Sequence, residues 1–394
     1  MKMRVPITKP LFDEADLESL RGPIESGWVV QGPKVKEFEQ KFSTFTGAAD
    51  AIACTSCTTG LHLALAALGV GPGDEVIVPS FTWVASANVA AHCGATPVLC
   101  DIDMDTYNVD PVEIERRITP KTKAIIPVHL FGLAADMDAV MDIAEAHQLY
   151  VVEDAACGMG SKLNDVHVGN FGDFGAFSFH PRKAVTTGEG GMVLAREPDH
   201  YKLVRTLRDH GSTKSDLARH HGKAAFLLSQ FDHLGYNYRM TDIQGALGSS
   251  QMDKAAYVIG RRQAVASRYD ELLPEIPWLK PPHVPANAEH SYQSYVCLFA
   301  PEEATMENLE RLNGLRNDIL MIAEELGVST RQGTHAVHGL GWYRNTFGYR
   351  PEDLPKSWMA EHLTMTLPLY PQMTDVEQDY VIEVLQTAYA RATK

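Results

Sequence analysis

Glu75-Val-Ile-Val-Pro-Ser-Phe-Thr-Trp83-Val-Ala-Ser-Ala-Asn-Val-Ala-Ala-His92-Cys-Gly-Ala-Thr-Pro97-Val-Leu-Cys-Asp101 reads as strand, helix, strand. A short apolar run over 75–78 precedes a helical pattern over 83–92, and a second apolar run follows over 97–101. Such runs, bounded by Gly, Pro and polar residues, suit strands covered on both faces. Working outward, similar runs stand at 51–54, 124–128, 150–152, 174–179 and 192–195. Helical patterns at 61–67, 111–117 and 137–147 separate several of them. This alternation predicts an α/β fold, a mainly parallel seven-stranded sheet with helices on both faces. Ligands of such sheets bind beyond the carboxyl ends of the strands. That directs attention to the segments 55–59, 80–83, 154–157 and 178–183.

Beyond the sheet region lie a helical segment over 241–273, a Pro-rich stretch over 274–285, an apolar run over 292–299, a helix over 306–326 and a last helix after Pro371. These predict a smaller C-terminal α+β domain over 250–394, after a large domain over 1–249. The 394 residues are 45% hydrophobic and 22% charged, the mix of a folded protein. Lys and Arg number 35 against 50 Asp and Glu, a net charge of −15 without a basic cluster, so no nucleic-acid partner is expected. No apolar run approaches the roughly 18 residues of a membrane span, and no leader pattern opens the chain. Six scattered cysteines fit reduced thiols and a cytoplasmic location.

The segment Ser178-Phe-His-Pro-Arg-Lys183-Ala-Val-Thr-Thr-Gly-Glu-Gly-Gly191 is the most informative for chemistry. A strand runs into a polar, Gly-rich loop carrying one lysine. A partly desolvated lysine beside strand ends is suited to a Schiff base, whereas a surface lysine in a turn would present the same residues. Asp154 ends another strand, in Val151-Val-Glu-Asp154-Ala-Ala-Cys157. It suits a helix cap, or a partner for the ring nitrogen of a pyridoxal phosphate (PLP) held by that lysine. Cys54-Thr-Ser-Cys57-Thr-Thr-Gly-Leu61 opens a helix with hydroxyls and free amides, an anion site, or else a C-x-x-C redox pair. Trp83 fits a core residue or a stacking platform. Gly69-Val-Gly71-Pro-Gly73 precedes a strand and is no dinucleotide fingerprint. Asp101-x-Asp103-x-Asp105 lacks the Gly and Glu of a calcium loop, and His335-x-x-His338 and His220-His221 lack a third ligand, so no metal is expected.

Together with Gly27-Trp-Val-Val-Gln-Gly-Pro33, Pro79-Ser-Phe-Thr-Trp83, Gly235-Tyr-Asn-Tyr-Arg-Met-Thr-Asp242 and Leu367-Pro-Leu-Tyr-Pro371, these segments resemble, nearly end to end, the DegT-type (DegT/DnrJ/StrS) sugar aminotransferases. That family is a branch of fold type I PLP enzymes. The resemblance implies that Lys183 carries the cofactor and moves protons, and that Asp154 pairs with its ring nitrogen. It implies further that Trp83 stacks on the ring and that Thr58, Thr59 and Ser178 hold the phosphate. Asn237 would reach the phosphate from the partner subunit of a homodimer, and His338 would face the sugar. The resemblance sets Cys157 where many relatives have Gln or His near the cofactor's phenolic oxygen, which makes it adjacent to the cofactor rather than a contact, and Cys57 where they usually have Gly. Lys183, rather than the His of related dehydratases, favours transamination. The donor expected is L-glutamate and the acceptor a nucleotide-linked keto sugar, in cell-surface polysaccharide or lipopolysaccharide biosynthesis. A free 8-oxo 3-deoxy-octulosonate is the alternative acceptor, left open by the run Gly333-Thr-His-Ala-Val-His338. A PLP-binding regulator without turnover is the rival of another class.

Overall fold

The computed structural model describes residues 3–212 and 230–394. The expected strands form one seven-stranded sheet: β1 (Ile52–Cys54), β2 (Glu75–Pro79), β3 (Thr96–Cys100), β4 (Thr122–Ile125), β5 (Tyr150–Asp154), β6 (Phe174–Ser178) and β7 (Gly191–Ala195), in the order β1-β7-β6-β5-β4-β2-β3. β7 pairs antiparallel with both neighbours, and every other pairing is parallel. Adjacent residues feed opposite cores, as a period of two requires. Ile77, Val151, Phe177, Met192 and Leu194 join Phe38 and Phe42 on one face. Val76, Val78, Val152, Phe174 and Val193 join Leu61 and Leu65 on the other. Burial on both faces is why the strands read as continuous apolar runs rather than alternating ones.

The predicted helix over 241–273 is two helices, α1 (Asp242–Met252) and α2 (Ala255–Leu272). Lys254 takes φ −114°, ψ 6° between them, and its amine pairs with Asp13 and Asp16 while Asp253 pairs with Lys41. The turn is thus held by ion pairs to the N-terminal segments, which no local periodicity encodes.

The smaller unit has a three-stranded antiparallel sheet, Leu279–Lys280, Tyr295–Phe299 and Thr364–Leu367, covered by Leu309–Glu325 and Asp375–Ala392. Three features cross a division at 249/250. α1 runs through that point and packs on the helix Pro33–Thr46. At the N-terminus, Val5 bridges to Val328 and is buried in the small-unit core. In the other direction, His335–Ala336 pairs with Phe81–Thr82, and Val337, Tyr343 and Leu354 pack into the core of the large sheet. The two units therefore meet along a cleft at the carboxyl ends of β2, β5 and β6.

Candidate active site

The cleft holds a cavity of about 530 Å³, within the range of small-molecule sites. Its floor is built by the strand ends. Period-two alternation sends Glu153 and Asp154, neighbours on β5, to opposite faces. Glu153 is buried and accepts from His129 Nε2 (2.9 Å) and from the amides of Gly169, Phe171 and Gly172 (2.6, 2.8 and 2.8 Å). That anchors the end of β5. Asp154, 5% exposed, turns into the cavity. Its Oδ2 accepts from Ser86 Oγ at 2.6 Å and its Oδ1 from the Ala156 amide at 3.0 Å.

Lys183 follows β6 in the loop and lines the same cavity, half-buried. Its Nζ donates to Cys157 Sγ at 3.1 Å. Trp83 is 63% exposed, and its indole forms a wall of the cavity with the His335 ring 5.9 Å away. Of its two sequence readings, this excludes the core residue.

The helix Cys57–Ala67 points its N-terminus at the cavity. Ser56 is its N-cap, and Ser56 Oγ accepts from the Thr59 amide. The preceding amides, Cys57 and Thr58, have no intrahelical partner, as at any helix start. With the hydroxyls of Ser56, Thr58 and Ser178 around them they make an anion site. Asp154, the exposed indole, the lysine amine and this anion site together fit a flat cationic heteroaromatic ring carrying a phosphate.

Thr59 does not face the cavity, contrary to expectation. Its hydroxyl accepts from the Ser56 amide at 3.0 Å and donates to the Ser56 carbonyl at 2.8 Å, so it closes the capping box. Ser56 takes its place in the lining; its signal was a hydroxyl three residues ahead of Thr59 at the start of an apolar run.

His338 is also corrected. Its ring is 0% exposed, bonded through Nδ1 to Ser80 Oγ at 2.7 Å and set among Tyr349 and Trp358, outside the cavity lining. Burial pushes its pKa below the usual histidine value. In the H-x-x-H pair His335 is the one whose ring neighbours Trp83, and it too lies outside the cavity lining.

Asn237 lies exposed in a loop whose backbone bridges to Asp209, away from its own chain's cavity. His220 and His221 lie outside the described residues. Asp101 accepts from the amides and hydroxyl at Lys356 and Ser357, and Asp103 caps its own turn through Thr106.

The C-x-x-C thiols are free and buried, and burial pushes Cys54 up to about 11 and Cys57 well above its ordinary value, Asp154 adding to the latter. Both are held protonated at neutral pH, which opposes redox exchange. A disulfide-forming thiol reagent at pH 8 is expected to leave Cys54 unmodified in the folded protein, released only by denaturant. Labelling of native Cys54 within minutes would contradict this account of its burial.

Known proteins bear on this geometry. The profile described as the DegT/DnrJ/EryC1/StrS aminotransferase family matches residues 10–386. The spore coat polysaccharide biosynthesis protein SpsC of Bacillus subtilis is 37% identical over 382 residues, 97% of this chain and 96% of that protein. GDP-perosamine synthase of Caulobacter vibrioides is 35% identical over 384 residues, 97% of each. Among solved structures, a sugar aminotransferase of Streptococcus pneumoniae, Spr1654 in its PMP form, superposes with a TM-score of 0.90 at 32% identity, over 98% of this chain and 100% of that one. The chain belongs to the DegT/DnrJ/EryC1/StrS aminotransferase family and is a PLP-dependent sugar aminotransferase.

Proposed function

We infer that this chain moves an amino group from an amino acid, expected to be L-glutamate, to a nucleotide-linked keto sugar, with Lys183 and Asp154 as its catalytic residues. The observation that carries this reading is the convergence of Lys183 Nζ and the Asp154 carboxylate on one cavity, beside a helix N-terminus with unsatisfied amides. PLP, once bound, supplies an electron sink for the carbon that loses its proton. Lys183 Nζ holds and returns that proton. Asp154, fixed by Ser86 and Ala156, would keep negative charge against the ring nitrogen. Trp83 would offer its flat face to the ring, and Thr58, Ser178 and Ser56 would hold the phosphate. Cys157 occupies the position beside the lysine amine.

A nucleotide-linked acceptor is favoured by the names of relatives such as GDP-perosamine synthase, and a role in cell-surface polysaccharide synthesis by SpsC. A cytoplasmic location agrees with six free cysteines. Among the described residues no helix is long and apolar enough to cross a membrane. The test of turnover is a single addition of L-glutamate to cofactor-loaded protein without acceptor. Stoichiometric 2-oxoglutarate, followed by amination of a nucleotide-linked keto sugar, is the expected result. No 2-oxoglutarate at all would overturn L-glutamate as the donor, and only failure with every amino-acid donor would leave a PLP-binding regulator.

The active unit is proposed to be a homodimer sharing its sites. The loop that carries Asn237 exposes Phe231 (61%) and Leu234 (92%), apolar surface suited to a partner. Lys183→Ala and Asn237→Ala proteins, each impaired alone, are expected to recover part of the activity when mixed under subunit exchange. A mixed dimer then holds one site with both lesions and one with neither. Failure to recover despite proven exchange would place Asn237 in its own subunit's site.

A further inference from the structure

Two arginines line the cavity, one from each unit. Arg182 precedes Lys183 in the loop after β6, and Arg331 stands where the small-unit backbone bridges to Thr366, next to its sheet. Both are exposed at the mouth. Among the described residues neither guanidinium forms an ion pair or donates a hydrogen bond, although the chain carries 50 acidic residues. The acidic residues that share the lining are Asp154, committed to Ser86 and Ala156, and Glu189, which lies beyond ion-pair distance of either arginine. Burial and then the charge of Arg331 lower the pKa of Arg182, so the two cations are near enough to repel. Like charges held together without a counter-ion are unfavourable by themselves, and an oxyanion between them relieves the repulsion while taking two planar forks of N–H donors.

We propose that Arg182 and Arg331 form a two-sided clamp for an oxyanion carried by the substrate, a carboxylate or a phosphate set apart from the carbonyl that exchanges its amine. This rests on the aminotransferase reading of the same cavity and adds to it that the substrate is anionic at the cleft mouth. The clamp draws one arm from each unit, so a substrate lacking the anion binds without engaging the small-unit side. Two sources share the chemistry: a carboxylate, of the amino-acid donor or of a sugar acid, and the diphosphate of a nucleotide-linked sugar. Gln293 braces the large-unit arm, its Nε2 donating to the Arg182 carbonyl at 3.4 Å.

The test uses cofactor-loaded wild type, Arg182→Gln, Arg331→Gln and the corresponding Lys variants. Glutarate and inorganic pyrophosphate are titrated separately, read by the visible absorbance of the bound cofactor and by isothermal titration calorimetry. At least one probe is expected to bind wild type, and each Gln variant to weaken it roughly tenfold or more, with the Lys variants intermediate. Glutarate alone assigns the clamp to a carboxylate, and pyrophosphate alone to a diphosphate. Binding of neither probe, or equal binding by wild type and both Gln variants, overturns the clamp. Loss of the cofactor from both variants overturns it too, because the arginines would then serve the cofactor's own phosphate. Absence of any cofactor absorbance in loaded wild type is a different failure, that of the aminotransferase reading itself.

Discussion

Lys183→Ala protein is expected to fold with the wild-type sheet, to release all cofactor on denaturation after borohydride treatment, and to lose transamination by about 10²–10⁴-fold or more. The fold survives because Lys183 sits in the loop after β6, half-buried, and among the described residues its amine bonds only Cys157. Removing it exposes no core and strands no buried charge. What disappears is, among the described lining residues, the one amine that can both bond a carbonyl carbon and carry a proton between two carbons of a bound substrate. Borohydride fixes a cofactor to protein only where such an imine exists, so wild type should remain labelled and the variant should not. Mass spectrometry of a digest places the label on the peptide containing Lys183. Undiminished fixation in the variant would move the site to another lysine. Arg182→Gln is the matched control: it alters the neighbouring residue and should leave fixation intact.

Much of this was legible in the chain because the large sheet is buried on both faces. Continuous apolar runs such as Phe174–Ser178 and Tyr150–Asp154 announce themselves, and the parallel topology then dictates that the polar residues following them share one edge. Lys183, Asp154, Thr58, Ser178 and Trp83 meet for that reason. What escaped notice depends on contacts distant in sequence. Ser86 fixes Asp154 from 68 residues away, and nothing near Trp83 marks it as different from any hydroxyl in a helix start. The pairing of His335 with Thr82 brings Arg331 and Gln332 over the cavity, a strand contact of two residues too short to show a period. His338 reads as ligand-facing in the sequence because a histidine in a polar run resembles such a residue. The short 3₁₀ turn Val337–Gly339 instead buries it against Ser80 and Trp358. Thr59 was misassigned for a related reason: hydroxyls at adjacent helix-start positions look alike in sequence, yet one faces out and the next closes the capping box.

Asp154→Asn is expected to keep the fold and lose about 10²–10³-fold in turnover, mostly in kcat. The carboxylate is nearly buried, so any change of shape would be costly, but the amide is almost isosteric. Its oxygen can accept the Ala156 amide now bound by Oδ1, and its NH₂ can donate to Ser86 Oγ, whose hydroxyl rotates to accept. Thr82 Oγ1, 3.0 Å from Ser86 Oγ, can accept the hydrogen bond that the rotated Ser86 hydroxyl then donates. The network therefore stays satisfied and thermal stability should move by only a few degrees. What the amide lacks is charge. A neutral group facing the ring nitrogen no longer favours its protonated form, and the ring then withdraws electrons less strongly from the carbon that Lys183 deprotonates. Kinetics alone would not separate this from a small misplacement of the ring. A cofactor analogue with carbon in place of the ring nitrogen does: without that nitrogen, the charge on Asp154 has nothing to hold. Wild type and Asp154→Asn should then turn over at the same low rate. If the variant remains two orders of magnitude slower with the analogue as well, Asp154 acts through geometry and not through its charge.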